Sequence, residues 1–285
     1  MNILALVWNP KLGLDLGFIT IRYYSLMYVL GFIAGYYIMK KVFRREGENE
    51  ELLDPLLVYI AVGLIIGARL GHVFFYDWPY FKHHISEIFL PFRLEPRFEF
   101  TGFQGLASHG ATIGIAIAAF LFWRKYKHQI RHKDFVWWVD RLILTIPFGG
   151  AMIRIGNLIN SEIIGKPTGS SWGIIYQSLG ENIPRHPTQL YEAGAYLLLF
   201  VLVMYLYWKT EVPHYRGLLF GIFFTLLWVI RFFIEFWKIT QRDEPTVLMK
   251  ITGLNTGQLL SIPFALVGLA VVIWSLKNKS EHLKA

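Results

Sequence analysis

The sequence predicts an all-α membrane protein of about seven transmembrane helices, with the N-terminus outside, the C-terminus cytoplasmic and an extracytoplasmic loop and head region. Three observations carry that expectation. The 285-residue chain is 54% hydrophobic and only 17% charged, against ~45–50% apolar and ~25% charged in an ordinary soluble domain. It holds about seven apolar stretches near the roughly 20 residues that a spanning helix needs. Its connections also alternate between short basic segments and longer, less basic ones. The mean hydropathy of +0.41 agrees. The composition excludes disorder and collagen-like repeats, and the absence of cysteine excludes a disulfide scaffold, an enzyme cysteine nucleophile and cysteine-ligated metal.

The stretches run near Gly17–Met39, Leu53–Phe75, His109–Trp123 (a short one), Phe135–Ile159, Gln189–Trp208, Gly217–Trp237 and Gly257–Leu276. The start, MNILALVWNPKLGL, lacks a basic n-region and is broken by Asn9-Pro10, so it reads as a segment against the outer interface and not as a signal peptide. No repeat of fixed period or low-complexity segment interrupts the chain. It is read as one integral-membrane domain over residues 1–285, with an arm near 76–108 and a head loop near 161–188.

Orientation follows from the cations. Lys40, Lys41, Arg44 and Arg45 follow the first stretch; Arg124, Lys125, Lys127, Arg131 and Lys133 follow the third. Lys209 and Arg216 flank the turn after the fifth, and Lys277, Lys279 and Lys284 follow the seventh. By the positive-inside rule these short loops are cytoplasmic. The net charge of +8 therefore reflects topology, and no nucleic-acid partner is implied.

Ionisable groups inside the stretches are more telling, because each costs roughly 2.5–3.5 kcal/mol at the bilayer centre. Arg69, His109, Arg154, Glu192, Arg231 and Glu235 all fall toward the outer side, near Asn157, Asn160, Glu162, Arg185 and His186 in the adjoining segments. Asp140 and Arg141 are the exception, expected to form a structural pair near the cytoplasmic start of the fourth stretch. Arg154, Asn157 and Ser161 are spaced i, i+3, i+7 on one helix face, with Asn160 close to it. Arg231 and Glu235 are i, i+4 neighbours. Single charges near helix ends can snorkel, but that does not explain arginines accompanied by amides and carboxylates. Arg69, Arg154, Arg185 and Arg231 outnumber Glu162, Glu192 and Glu235, and spare guanidinium suits an anionic ligand, phosphate above all. The histidines show no metal-ligand grouping. Gly169–Gly173 matches G-x-S-x-G without a preceding strand, and Gly110 and Gly114 suit close helix packing.

The run from Gly149 to Gly165, GGAMIRIGNLINSEIIG, resembles the signature of the bacterial prolipoprotein diacylglyceryl transferase family. Further matches lie at Tyr23–Tyr28, Gly67–Gly71, Ser108–Gly110, Arg185–Glu192, Arg231–Phe236 and Gly257–Pro263, in order along most of the chain. Ser161, Ile164 and Ala111 depart from the usual glycine, tryptophan and glycine without touching a charged group. The resemblance implies a seven-span inner-membrane enzyme with an outward-facing site. It would move the diacylglyceryl group of phosphatidylglycerol onto the lipobox cysteine thiol of a preprolipoprotein, forming a thioether and releasing glycerol phosphate. No metal or organic cofactor is implied. Its partners are phosphatidylglycerol, the lipobox signal peptide and membrane lipids.

Within that frame Arg154 and Arg231 clamp the phosphate, being cations at matching depth on different helices. His109 is the candidate base for the thiol, the alternative being a helix-start histidine that only hydrogen-bonds headgroup or backbone. Glu162, Glu192 and Glu235 orient the arginines, with Glu235 also open as a base. Asn157 and Asn160 suit headgroup hydroxyls, Gly165 joins the lipid-binding set, and Tyr24 contacts the headgroup, supports an arginine or anchors the interface. Arg69 and Arg185 are supporting candidates. The rival readings are a transporter or flippase for an anionic amphiphile, which needs a polar path through both leaflets, and a purely structural membrane protein.

Overall fold

A computed structural model describes residues 4–278, apart from 18–19, 91, 94–97, 101–104, 106, 133 and 240–246. Lys133, Lys279 and Lys284, used above for orientation, lie outside the described residues. In order, the elements are β1 Leu4–Trp8, β2 Gly13–Asp15, β3 Thr20–Arg22, α1 Tyr23–Glu46, α2 Leu53–Phe75, α3 Trp78–Phe81, α4 Ser86–Phe89, β4 Phe92–Arg93, β5 Glu99–Phe100 and α5 Ser108–Tyr126. There follow α6 Phe135–Leu142, α7 Ile146–Ile159, β6 Trp172–Tyr176, α8 Thr188–Lys209, α9 Leu218–Ile234, α10 Val247–Thr252 and α11 Thr256–Lys277.

Among the described residues, five helical segments are long and apolar enough to cross a membrane: Tyr23–Glu46, Glu50–Phe75, Thr188–Lys209, Leu218–Trp237 and Thr256–Lys277. Taken as one span, α6 and α7 make a sixth, bent by 41°. The second, fifth and seventh expected stretches match α2, α8 and α11 to within one residue, and the sixth matches α9 together with the short turn Glu235–Trp237 that follows it. The first does not: Gly13–Asp15 pairs antiparallel with Thr20–Arg22, and α1 starts only at Tyr23. The local turn chemistry explains this, since Gly17 has φ +85 and donates its N–H to the Asp15 carboxylate, a short-range alternative to helix. The fourth stretch breaks because Pro147, in the first turn of α7, has no N–H for the Ile143 carbonyl. Thr145 Oγ1 turns back to the Leu142 carbonyl at 2.9 Å. The third stretch is the 19-residue helix α5, whose first turns (Ser108, His109, Gly110, Ala111, Thr112) are small and polar.

The chain forms two compact units, residues 40–135 and residues 1–39 with 136–285. In the first, α2 and α5 pack backbone to backbone through glycines. A Cβ on Gly67 would lie 2.7 Å from Gly114 Cα, and one on Gly71 would lie 2.6 Å from Gly110 Cα. Small residues at this spacing let membrane helices approach closely. Arg69 is buried here, donating to the Ile88 carbonyl at 3.0 Å and the Glu87 carbonyl at 2.6 Å, with its guanidinium 4.7 Å from the Phe81 ring centre. It ties the segment after α2 to the helix that precedes it.

In the second unit α7 packs on α8, α8 on α9 and α9 on α11. Asp140, fully buried, accepts the N–H groups of Gly217 at 2.6 Å and Phe220 at 2.7 Å, which caps the N-terminus of α9. Gly217 sits in the left-handed region at φ +80, where a side chain is strained. Arg141 donates to the Pro213 carbonyl, and its contact with Asp140 is a loose 4.0 Å. The expected Asp140–Arg141 pair is present, and each partner also anchors the backbone that leads into α9. The N-terminal segment forms strand β1, parallel to β6 from Leu4–Trp172 to Trp8–Tyr176. Trp8 packs with Leu158, Ile174 and Tyr176 and donates its indole N–H to the Leu158 carbonyl at 2.9 Å, which fixes β1 to the end of α7.

Candidate active site

The site grows from the C-terminal end of α7. Arg154 points from its face toward α8, where Glu192 is wholly buried, and Arg154 Nε lies 3.0 Å from Glu192 Oε2. The N–H does not aim along that contact, so Oε2 is ion-paired yet has no hydrogen bond among the described residues. Arg154 Nη1 donates to Asn157 Oδ1 at 3.1 Å, and Asn157 Nδ2 donates to Glu162 Oε2 at 2.9 Å. Asn160 Nδ2 reaches Glu162 Oε1 at 3.1 Å. A polar chain therefore runs from the buried guanidinium to the exposed Glu162. Tyr24 lies beside it: Gly156, having no Cβ, leaves room for the Tyr24 ring, whose hydroxyl is 3.2 Å from that of Tyr28.

The turn that presents Glu162 is strained and bolted down. Ser161 has φ +56 and Ile163 has φ +54, a region especially unfavourable for a β-branched residue. Thr188 Oγ1 donates to the Ile163 carbonyl at 3.0 Å, Gln189 Nε2 to the Glu162 carbonyl at 2.6 Å, and Tyr176 OH to Gln189 Oε1 at 3.0 Å. Burial pushes the Tyr176 phenol up to about 12, with Gln189 opposing. The expectation that Ser161 continues the Arg154–Asn157 face fails, because α7 ends at Ile159 and Ser161 turns to Ser178.

From the opposite side α9 brings Arg231, and the turn that ends it brings Glu235. Although i, i+4 neighbours, these two do not pair with each other. Glu235 Oε2 is 3.6 Å from Lys238 Nζ, and its carboxylate lies over Gly257 in the first turn of α11. A helix N-terminus stabilises a carboxylate by about 0.3–1 kcal/mol, whereas removing one partner of a buried ion pair costs roughly 3–5 kcal/mol, so the lysine dominates. Lys238 is itself buried and donates to Glu192 Oε1 at 2.7 Å. Tyr196 interacts with both the Arg154 and Arg231 side chains, and Arg231 also lies over the Trp228 ring at 5.5 Å. Arg231 Nε is buried with no hydrogen-bond partner among the described residues.

Three cations (Arg154, Arg231, Lys238) thus surround two buried or nearly buried carboxylates (Glu192, Glu235). Arg185 stays out of this cluster: its Nη2 donates to Glu181 Oε1 at 2.7 Å and its Nη1 to the Gly165 carbonyl at 3.3 Å. The Arg185 guanidinium beside Glu181 holds that carboxyl below the usual range. Gly165 is a packing position, with a Cβ there driven into the His186 carbonyl, and it bridges in antiparallel fashion to Lys238. Arg69 and His109 belong to the other unit. Arg69 uses its donors on backbone carbonyls there, and His109 is exposed in the first turn of α5.

Lys238, Tyr196 and Gln189 are the residues the sequence analysis missed. For Lys238 a signal existed, because Arg231, Glu235 and Lys238 follow i, i+4, i+7 spacing. It was obscured by assigning Lys238 to the loop that follows. Tyr196 and Gln189 gave none, since an amide and a tyrosine in an apolar run look like ordinary packing.

A cluster of arginine, lysine and glutamate side chains inside a bundle of apolar helices marks an integral-membrane protein. Which one follows from comparison with known proteins. The chain belongs to the prolipoprotein diacylglyceryl transferase family, whose model matches residues 11–274. It is similar to the phosphatidylglycerol–prolipoprotein diacylglyceryl transferase of Bacteroides fragilis, 40% identical over 281 residues, which covers 98% of each chain. The protein of that name from Porphyromonas gingivalis is 42% identical over 268 residues, 90% of each chain. The one from Tolumonas auensis is 37% identical over 277 residues, 97% of this chain and 100% of the relative.

Proposed function

We propose that this chain transfers the diacylglyceryl group of phosphatidylglycerol to the thiol of the lipobox cysteine in a preprolipoprotein, the first step of lipoprotein maturation. Family membership and the names of its relatives support the reaction. The observation that carries the reading at the level of residues is the surplus cation cluster with an unsatisfied donor, Arg231 Nε, close to Arg154 and Glu192.

In this reading the cysteine sulfur attacks the glycerol carbon that bears the phosphate ester. A C–S bond forms, the C–O bond breaks, and its electron pair leaves on the phosphate oxygen of glycerol phosphate. Charge grows on that oxygen in the transition state, where fixed guanidinium groups in a water-poor site are most effective. Arg154 and Arg231 grip the phosphate, and Asn157, Asn160 and Glu162 bind the headgroup hydroxyls at the exposed end of the polar chain. Tyr24 borders them. Glu192 aligns Arg154, Arg185 and Gly165 support the surrounding backbone, and Arg69 supports the backbone of its own unit. The thiol proton goes to a base, for which His109 is the candidate. The chain works as one domain of seven spans in a bacterial inner membrane, N-terminus outside, arm and head region on the outer face, with the site open to that side.

Purified protein given phosphatidylglycerol and a lipobox peptide is expected to add one diacylglyceryl mass to the cysteine. Lipid movement across liposomes with no modified peptide would instead favour a transporter.

A further inference from the structure

We propose that Lys238 is a positioning residue that keeps the Arg231 guanidinium open for an anionic headgroup by holding the Glu235 carboxylate away from it. The inference deepens the functional reading above and rests on it. Arg231 and Glu235 are one turn apart on the same helix, where opposite charges pair by default, and in apolar surroundings that pairing is stronger still. The pair is nevertheless not made. Glu235 Oε2 turns to Lys238 Nζ at 3.6 Å, while the Arg231 guanidinium meets Tyr196 and its Nε stays buried without a hydrogen-bond partner among the described residues.

Lys238 can do this because it is held at both ends. Its ammonium is fixed by Glu192 Oε1 at 2.7 Å. Its backbone bridges Gly165, with Lys166 N–H donating to the Trp237 carbonyl at 2.7 Å and Ile239 N–H to the Ile164 carbonyl at 3.4 Å. The bare Cα of Gly257 gives the Glu235 carboxylate its seat on the side of α11. Removing the Lys238 charge changes two things together. The cluster falls from three cations over two carboxylates to two over two, losing its surplus, and Glu235 is freed to close on Arg231. Lys238 need not touch the lipid for either effect.

The test is equilibrium binding of phosphatidylglycerol to the full-length protein in micelles, with phosphatidylcholine as the zwitterionic comparator and thermal unfolding recorded alongside. Lys238→Met is expected to weaken phosphatidylglycerol binding at least ~10-fold and leave phosphatidylcholine unchanged, and Lys238→Arg to stay within about 3-fold of wild type. The double variant Lys238→Met/Glu235→Gln is expected to return to within about 3-fold of wild type, because no carboxylate is left to close on Arg231. A lysine that gripped phosphate itself, or only supported the fold, would give no such rescue. The inference is overturned if Lys238→Met binds like wild type, or if the double variant stays as weak as the single. Wild-type protein with no preference for phosphatidylglycerol overturns the functional reading, and the inference with it.

Discussion

Arg154 and Glu192 meet between α7 and α8 with Nε 3.0 Å from Oε2, and the other Glu192 oxygen takes Lys238 at 2.7 Å. One fully buried carboxylate thus holds two cations from two different segments. Glu192→Ala leaves both charges buried without it, so stability is expected to fall by roughly 3–5 kcal/mol. Glu192→Gln, which keeps the shape and one acceptor, should lose less. Thermal unfolding of the solubilised protein measures both, and equal loss in the two variants would mean that the carboxylate charge is not what holds the cluster.

Arg231 offers a planar fork with a free Nε. Arg231→Ala is expected to cut thioether formation by about 10²–10³-fold, the scale for losing an electrostatic donor to a developing oxyanion. Arg231→Lys should recover little, since an ammonium cannot present two parallel donors. Mass spectrometry of the peptide product follows both, and near-normal turnover by the alanine variant would remove Arg231 from the phosphate site.

His109 lies exposed in the first turn of α5. As the base it should make turnover fall when replaced by glutamine. The expected loss is about 10²–10⁴-fold. An active His109→Gln enzyme assigns the histidine to hydrogen bonding alone.

Gly165 has the rigid His186 carbonyl where a Cβ would go. Gly165→Ala must displace backbone, not a flexible side chain, and is expected to cost about 1–3 kcal/mol. Because the Gly165 bridge also places Lys238, the same change should weaken phosphatidylglycerol binding. Unfolding and lipid titration of this variant check the two effects separately.

Glu181 and Arg185 give the head a pH-dependent increment. The Glu181 carboxyl is held below its ordinary range, first by the hydrogen bond from Arg185 and then by its charge. A depressed folded-state value means that the stabilisation is complete above the ordinary carboxylate range and disappears as pH falls through the lowered value. The pair is partly exposed, so the increment is at most about 1 kcal/mol. Glu181→Gln should flatten the acid side of the stability–pH curve by that amount and leave neutral-pH turnover unaffected.

Much of the helix layout was legible because hydrophobic length is a local property. The residues of α2, α8, α9 and α11 carry their own spanning signal, and their ends fall where charge or turn residues resume. The β2–β3 hairpin ahead of α1 and the break before α7 were not anticipated. Both turn on single residues, the Asp15–Gly17 turn and Pro147, whose effect a count of apolar residues does not register. Arg154, Glu192 and Arg231 announced themselves because charge in an apolar helix is costly, and Asn157 and Glu162 by lying close to Arg154 in the sequence. Which carboxylate meets which cation was beyond reach, since it depends on side chains from segments far apart in the chain.

By itself the sequence determined the apolar spanning helices and a surplus of arginine near one end of them, since composition and helical period are written residue by residue. Only the tertiary structure decided that Glu235 faces Lys238 instead of Arg231, that Arg185 is consumed by Glu181, and that Glu192 joins Arg154 to Lys238. Ion pairing inside an apolar bundle is a competition among every charge within a few ångströms, and the fold alone selects those competitors.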